Sequence, residues 1–381
     1  MKRRNFLALA PCLLSPVAHG QAGDTPSRPE PGAPTGPRQA SQPATGKTQA
    51  RHAQRSYATR TIRYTISSGE QVVTVPATID RIASAWEAQN STVVLLGSGR
   101  KLVATTRYAR NMPLFDRLVP GIRNMPLSGE NRTLNMENLA MQQPQVLFVP
   151  IEPSPAQQAQ LKALGVATPL FDSDAIPALR QRVSVTAEIL GDDAPARARR
   201  YHARFENNIA RVRDALGDIP PKQRVSIYHA MGDLFSTTSR PSLNQDWMDL
   251  AQVRNAAESW ASGSNGRLAP ASLEDIIAAD PELIVTMRTQ EARQIRQDPR
   301  WQTLRAVRNG RVHANPHGLF WWCRETPEVA LQFLWLACIA YPEKTRHIDM
   351  RAETRDFYRD FYGLTLTDRE VDDILVPSSG P

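Results

Sequence analysis

The sequence predicts an α/β fold: two similar lobes with mostly parallel sheets, joined by a single long bridging helix. Three observations carry this reading. The segment "NMENLAMQQPQVLFV" (135–149) aligns without gaps on "SLEDIIAADPELIVT" (272–286), so one unit occurs twice. Each copy reads as a polar cap, a short helix, a break before proline and an apolar strand, the pattern of parallel strands covered on both faces. Between the copies, "APARARRYHARFENNIARVRDAL" (194–216) reads as one charged helix of six turns that ends at "GDIPP".

In chain order, Lys2, Arg3 and Arg4 precede a short apolar run ending at "AHG". Residues 1–20 are read as an export signal peptide, Sec or twin-arginine in type, too short and too interrupted by proline to span a bilayer. Cys12 follows a proline, which makes a poor lipid-attachment signal. Residues 21–55 are rich in Pro, Gly, Ala, Ser, Thr and Gln and are expected to form a disordered tether. The "GKT" at 46–48 echoes a phosphate loop, but Ser41 stands where its first glycine belongs and no strand precedes it. Three of the eight net positive charges lie in residues 1–20 and three more in 21–55, leaving about +2 for the folded body. Such a body gives nucleic acid little to bind. Outside the signal, Cys323 and Cys338 can pair in an oxidising compartment but form no disulfide framework.

The first lobe is assigned to residues 57–193. A hairpin, "YTISSGEQVVTVPATI", leads into strands in "DRIASAW", "KLVATT", "QVLFVP" and "VATPLFD". The second lobe, 222–376, takes strands from "RVSIYHA", "ELIVT" and "RVHANP" and closes with helices in "PEVALQFLWLACIAY" and "AETRDFYRDFYG".

Over residues 57–376 this order resembles the substrate-binding proteins of bacterial ABC importers for iron–siderophore, haem, cobalamin and oxyanion ligands. The residues that carry the resemblance are the two repeat copies, "DPRWQTLRAVRNGRVHA" and "WWCRETPEVALQFLWLACIAYPEK…FYRDFYG". In that family two Rossmann-like lobes are joined by one rigid helix. The resemblance implies a monomer in the periplasm with an inner-membrane ABC permease as its partner. It also implies that Glu137 and Glu274, one on each lobe, dock onto permease arginines; taken alone, a glutamate there needs only the helix dipole to explain it. The family's loop has aspartate where Cys323 stands and glycine where Trp321 stands, so this chain departs from its relatives there.

In paired α/β lobes, ligands bind beyond the carboxyl ends of the strands. That rule selects Trp86, Glu87, Arg107, Tyr108 and Ser128 in the first lobe. In the second it selects Tyr228, His229, Arg288, His317, Trp321, Trp322 and Arg324. Arginine forks suit anionic oxygens, and aromatic rings supply rigid apolar contact. The expected ligand is an anionic ferric-siderophore-type chelate; molybdate or tungstate, haem and cobalamin are the alternatives. The histidines match no metal motif, and neither a metal site nor a cofactor is assigned. Tyr108 has the chemistry of an axial haem ligand, although a half-exposed loop tyrosine needs no such role. With no G-x-S-x-G, no H-E-x-x-H and no third glycine in "GSGRKL", the chain is read as a binder and not an enzyme.

Overall fold

The computed structural model describes residues 58–130, 133–261 and 268–377. The expected signal peptide and tether lie outside them. The chain enters through an antiparallel hairpin, β1 (Thr59–Ile66) and β2 (Gly69–Pro76), paired along its whole length. In the first lobe β3 (Ile82–Ser84) lies between β4 (Leu102–Ala104) and β5 (Val146–Phe148), with parallel pairing on both sides. In the second lobe β6 (Ser226–Ala230), β7 (Arg254–Asn255), β8 (Leu283–Thr286) and β9 (Val312–Ala314) form a parallel sheet in the order β7-β6-β8-β9. Every residue of β3, β5, β6 and β8 is buried, as continuous apolar strands between helical layers must be.

"VATPLFD" does not form a strand. Ala167 makes a single parallel bridge to Val146, and Pro169, which has no amide to donate, stands two residues further on. "DRIASAW" is shorter than expected because Trp86 already caps helix α1 (Glu87–Leu95). "KLVATT" is shorter too, because Thr106 caps α2 (Arg107–Asn111) by accepting from the Ala109 amide.

The repeat is reproduced residue for residue. Helix α3 (Met136–Gln142) is capped by the Asn135 side chain and ends at Gln143 with φ 43°. Beyond α4 (Ile176–Leu190) and α5 (Ala194–Leu216), helix α6 (Leu273–Ala279) is capped by Ser272 and ends at Asp280 with φ 36°. Both left-handed positions are non-glycine, and an arginine reaches each helix end: Arg81 Nε donates to the Gln142 carbonyl (2.9 Å) and at longer range to that of Gln143 (3.4 Å), and Arg305 Nη2 donates to the Asp280 carbonyl (2.7 Å). Leu139 and Ile276, at matching positions, are both fully buried.

Helix α5 follows the first-lobe sheet and precedes the second. It buries Ala194, Ala198, Tyr201, Phe205, Asn208, Val212 and Leu216, a single stripe at helical spacing. The stripe packs on α4 and on the apolar helix α7 (Val329–Ala340). Phe205 meets Phe333 with ring centroids 5.2 Å apart, and Asn208 Nδ2 donates to the Ala330 carbonyl (2.7 Å). Helix α8 (Met350–Phe357) continues as a π-helical turn, Tyr358–Tyr362. Cys323 and Cys338 are free thiols, the first buried and the second partly so.

Because Phe205 has no exposed surface, Phe205→Ala should cost about 3–5 kcal/mol. Arg199→Ala, on the exposed face of the same helix, should change stability by less than about 0.5 kcal/mol. Urea unfolding of the two variants checks both.

Candidate functional site

The strand ends of the two lobes meet on the loop that follows β9. After β3, the Trp86 indole turns inward and Nε1 donates to Glu325 Oε1 (3.2 Å). The Arg182 guanidinium lies 4.1 Å from the centre of the same ring, within cation–π range. Arg182 is wholly buried and donates through Nη2 to the Glu325 carbonyl, while Arg324 Nε donates to Glu325 Oε2 (3.1 Å). Burial opposes the Glu325 charge, but Arg324, a backbone hydrogen bond and Arg182 outweigh it and hold the carboxyl at about 2. Burial draws Arg182 down to about 10 against the pull of Glu325 and Tyr201. One carboxylate therefore binds groups from both lobes.

A second junction is aromatic. After β4, the Tyr108 hydroxyl lies 2.6 Å from His317 Nε2, which follows β9. The His317 and Trp321 rings stack at 4.6 Å and 29°, and Phe320 meets Tyr108 edge-on at 5.1 Å. Burial pushes His317 down to about 4, so the imidazole is neutral at neutral pH. Burial, then Glu328 and Glu87, push the Tyr108 phenol far up. A neutral phenol thus faces a neutral imidazole, and the imidazole tautomer sets which of the two donates.

Glu328 holds the loop from within. Its carboxyl group lies within hydrogen-bond distance of the amides of Leu319 (2.9 Å) and Phe320 (3.1 Å) and of the hydroxyls of Thr326 (3.1 Å) and Tyr358. Gly318 passes so close that a Cβ there would collide with the Tyr358 hydroxyl and this carboxylate.

On the first-lobe side, a cavity of about 290 Å³ opens at the ends of β3, β4 and β5. Its wall includes Glu87, Thr106, Arg107, Glu130, Ile151 and Glu152. Arg107 and Glu130 form an exposed ion pair across it.

The structure thus distributes the expected residues. Tyr108, His317 and Trp321 touch one another; Trp86 and Arg324 meet through Glu325; Glu87 and Arg107 line the cavity. Trp322 has no exposed surface and lies in the main core. Tyr228 is equally buried and donates its hydroxyl to the Leu234 carbonyl (2.8 Å). Ser128 and His229 are also fully buried, and Ser128 Oγ and His229 Nε2 have no hydrogen-bond partner among the described residues. His229 Nδ1 accepts from Asn244 Nδ2 (3.1 Å), and burial, then Arg324, push the imidazole down to about 3. Arg288 is exposed and donates to the Gly232 carbonyl (2.8 Å). Glu137 and Glu274 are exposed in the first turns of α3 and α6.

Sequence reasoning missed Arg182, Glu325 and Glu328. Arg182 carried a usable signal. It falls with Leu179, Val183 and Thr186 on the buried stripe of α4, where a cation needs a partner.

The periplasmic binding protein family profile matches residues 82–317. The molybdate-binding protein MolA of Haemophilus influenzae is 24% identical over 323 residues, spanning 77% of this chain and 89% of that protein. Among solved structures, a periplasmic solute binding protein from Veillonella parvula superposes with a TM-score of 0.69 at 23% identity, covering 83% of this chain and 97% of its own. MolA bound to molybdate gives a TM-score of 0.68 at 22% identity, with 78% and 97% covered. Helicobacter pylori CeuE with Ni(II) bound gives 0.66 at 18% identity, with 82% and 99% covered.

Glu325→Gln keeps the shape but leaves Arg182 buried without a counter-charge, and should cost about 3–5 kcal/mol. The carboxyl lies below its ordinary 4.5, so its stabilising contribution is complete above pH 4.5 and is lost as pH falls toward 2. Denaturation midpoints measured from pH 7 to pH 2 should fall across that window in the parent and stay flatter in Glu325→Gln.

Proposed function

The chain belongs to the periplasmic binding protein family, and on that premise we propose that it is the solute-binding component of an ABC importer. Its cargo is an anionic metal complex of the ferric-siderophore type, held in the cleft between the lobes. The observation that carries this reading is the meeting of strand ends: Trp86 and Tyr108 of the first lobe contact Glu325 and His317 of the second. The loops that bind ligands in paired α/β lobes therefore lie against one another at this junction. Arg107 and Arg324 each hold a carboxylate that ligand oxygens can replace. Tyr108, Phe320 and Trp321 offer rigid apolar surface beside them. The protein acts as an exported monomer and not as an enzyme, and among the described residues no helix is long and apolar enough to cross a membrane.

A second reading is molybdate or tungstate, favoured by the similarity to a molybdate-binding protein. Electrostatics ranks it lower. Among the described residues of the cavity wall, Glu87, Glu130 and Glu152 surround the one arginine. Like charge at that range penalises a compact dianion more than a bulky chelate whose charge is spread. Haem and cobalamin use the same scaffold and belong in any screen.

Melting of the purified protein with ferric hydroxamate and catecholate siderophores, haem, cobalamin, molybdate and tungstate tests the reading. A ferric chelate at 100 times its Kd should stabilise the protein by about 2.7 kcal/mol and quench tryptophan fluorescence. Arg107→Ala and Arg324→Ala should each weaken that binding by about tenfold or more, roughly 1.4 kcal/mol. Stabilisation by molybdate or tungstate alone would replace this cargo with the oxyanion.

We further propose Glu137 and Glu274 as the permease-docking anchors. One exposed carboxylate on each repeat unit suits a two-fold partner. Glu137→Ala and Glu274→Ala should leave cargo affinity unchanged and abolish stimulation of the importer's ATPase in proteoliposomes. Unaltered stimulation by the double variant would remove them from this role.

A further inference from the structure

Three buried contacts run in line across the lobe junction. Glu328 Oε2 lies 3.1 Å from Thr326 Oγ1, Thr326 Oγ1 lies 3.1 Å from Ser91 Oγ, and Ser91 Oγ lies 2.7 Å from the Ala88 carbonyl. All four residues lack exposed surface, and Ala88 and Ser91 belong to helix α1 of the first lobe. Each contact needs one proton. The two hydroxyls supply two, and the carbonyl supplies none. With Glu328 ionised, Thr326 donates to the carboxylate and Ser91 keeps its shorter bond to the Ala88 carbonyl (2.7 Å), so both hydroxyl protons are used and lone pairs of Thr326 and Ser91 face each other across the 3.1 Å contact between them. With a proton on Glu328 Oε2, the line closes in one direction: Glu328 donates to Thr326, Thr326 to Ser91, and Ser91 to Ala88. Oε1 meanwhile keeps the Leu319 amide and the Tyr358 hydroxyl as its donors.

We propose that Glu328 is a proton-operated latch: it carries a proton while the lobes are apposed as here, and losing that proton breaks the Thr326–Ser91 tie between them.

The surroundings support this. The hydrogen-bond partners of Glu328 are two amides and two hydroxyls, with no cation among them. The titratable groups near it are Tyr358 and Tyr362 from the π-helical turn, Tyr201 from α5 and Tyr108 from α2. Burial raises all four phenols, so they keep their protons. In the same loop and against it, Glu325 stays ionised beside Arg324 and Arg182, and His317 stays neutral. Burial outweighs the four donors and lifts Glu328 to about 7, so of these groups it alone changes charge near neutrality. The sign follows. A carboxyl raised above its ordinary 4.5 makes the folded protein hold more protons than the unfolded chain between pH 4.5 and 7. Its contribution is complete below pH 4.5 and is lost as pH rises through about 7. Trp321 and Arg324 ride on the same loop, so release of the latch loosens one wall of the cleft.

Amide hydrogen exchange of the full-length protein at pH 6 and pH 8, corrected for intrinsic rates, reads the latch in residues 88–95 and 317–326. Protection there should fall by about tenfold per pH unit as pH approaches 7 and level off above it, so that it is about tenfold lower at pH 8 than at pH 6. Difference infrared spectra should lose a protonated carboxylic-acid band over the same range. In Glu328→Gln the carboxamide nitrogen can donate to Thr326 at every pH but meets the Phe320 amide, so whatever its level, protection should not change between pH 6 and pH 8. Thr326→Val breaks the line without changing charge, so protection should be low at both pH values. Should Glu328→Gln not fold, the infrared band and Thr326→Val decide the matter. Absence of an acid band lost between pH 6 and 8, or a pH response in Thr326→Val equal to that of the parent, overturns the proposal.

Discussion

The lobe junction depends on two carboxylates placed where carboxylates are costly. The loop from β9 to α7 must cross the seam between two packed lobes, and its backbone amides cannot reach water there. Glu328 satisfies the amides of Leu319 and Phe320, and Glu325 gathers Trp86 and Arg324 while its carbonyl takes Arg182. Replacing either side chain with an apolar one would leave buried donors unmet, a larger penalty than the modest net gain of a typical hydrogen bond suggests. Gly318 follows from the same constraint, because the chain can approach Glu328 and Tyr358 closely only without a Cβ.

The position of this loop ties stability to binding. In a sheet of parallel strands, the carboxyl ends are where loops are free to vary without disturbing the hydrogen-bonded ladder. The same loop carries His317, Trp321 and Arg324 and holds the lobes together through Tyr108 and Trp86. On the proposed function, a cargo would have to compete with contacts the protein already makes, chiefly the pairs of Arg107 with Glu130 and Arg324 with Glu325. Those two pairs differ. Arg107 and Glu130 are both exposed and exchange partners readily, whereas Glu325 is nearly enclosed and also holds Arg182. Under that proposal, capture by exchange would be easier on the first-lobe side, where the cavity opens.

Much of the fold was legible because it rests on local rules. The 15-residue echo announced caps, helices and strands that recur at matching positions, down to the left-handed residues Gln143 and Asp280 before their prolines. "VATPLFD" was misread because its apolar character matches a strand while Pro169 withholds the amide a ladder requires. The site was less legible. The rule of strand ends selects chain positions but says nothing about which way a side chain turns. It therefore chose Tyr228 and Trp322, which face the core, together with Tyr108 and His317, which face each other across the lobes. Glu325 and Glu328 were overlooked because "RETPE" reads as an ordinary solvated helix start. Only the surrounding tertiary packing, contributed by α4, α5 and the C-terminal turn, makes those acids buried.

The two halves of the molecule show where symmetry was kept and where it was lost. Helices α3 and α6 have the same length, capped starts and the same arginine-held ends, so Glu137 and Glu274 project from near-identical settings. The loops at the strand ends share nothing of the kind: the first lobe offers an acidic cavity with one arginine, the second a loop braced by buried acids. A partner with two equivalent halves would constrain the first set of positions to stay alike. A small asymmetric cargo would leave the second set free to differ, because it would show a different surface to each lobe. The division between repeated geometry on α3 and α6 and divergent chemistry at the strand ends is what recognition of both proposed partners would require.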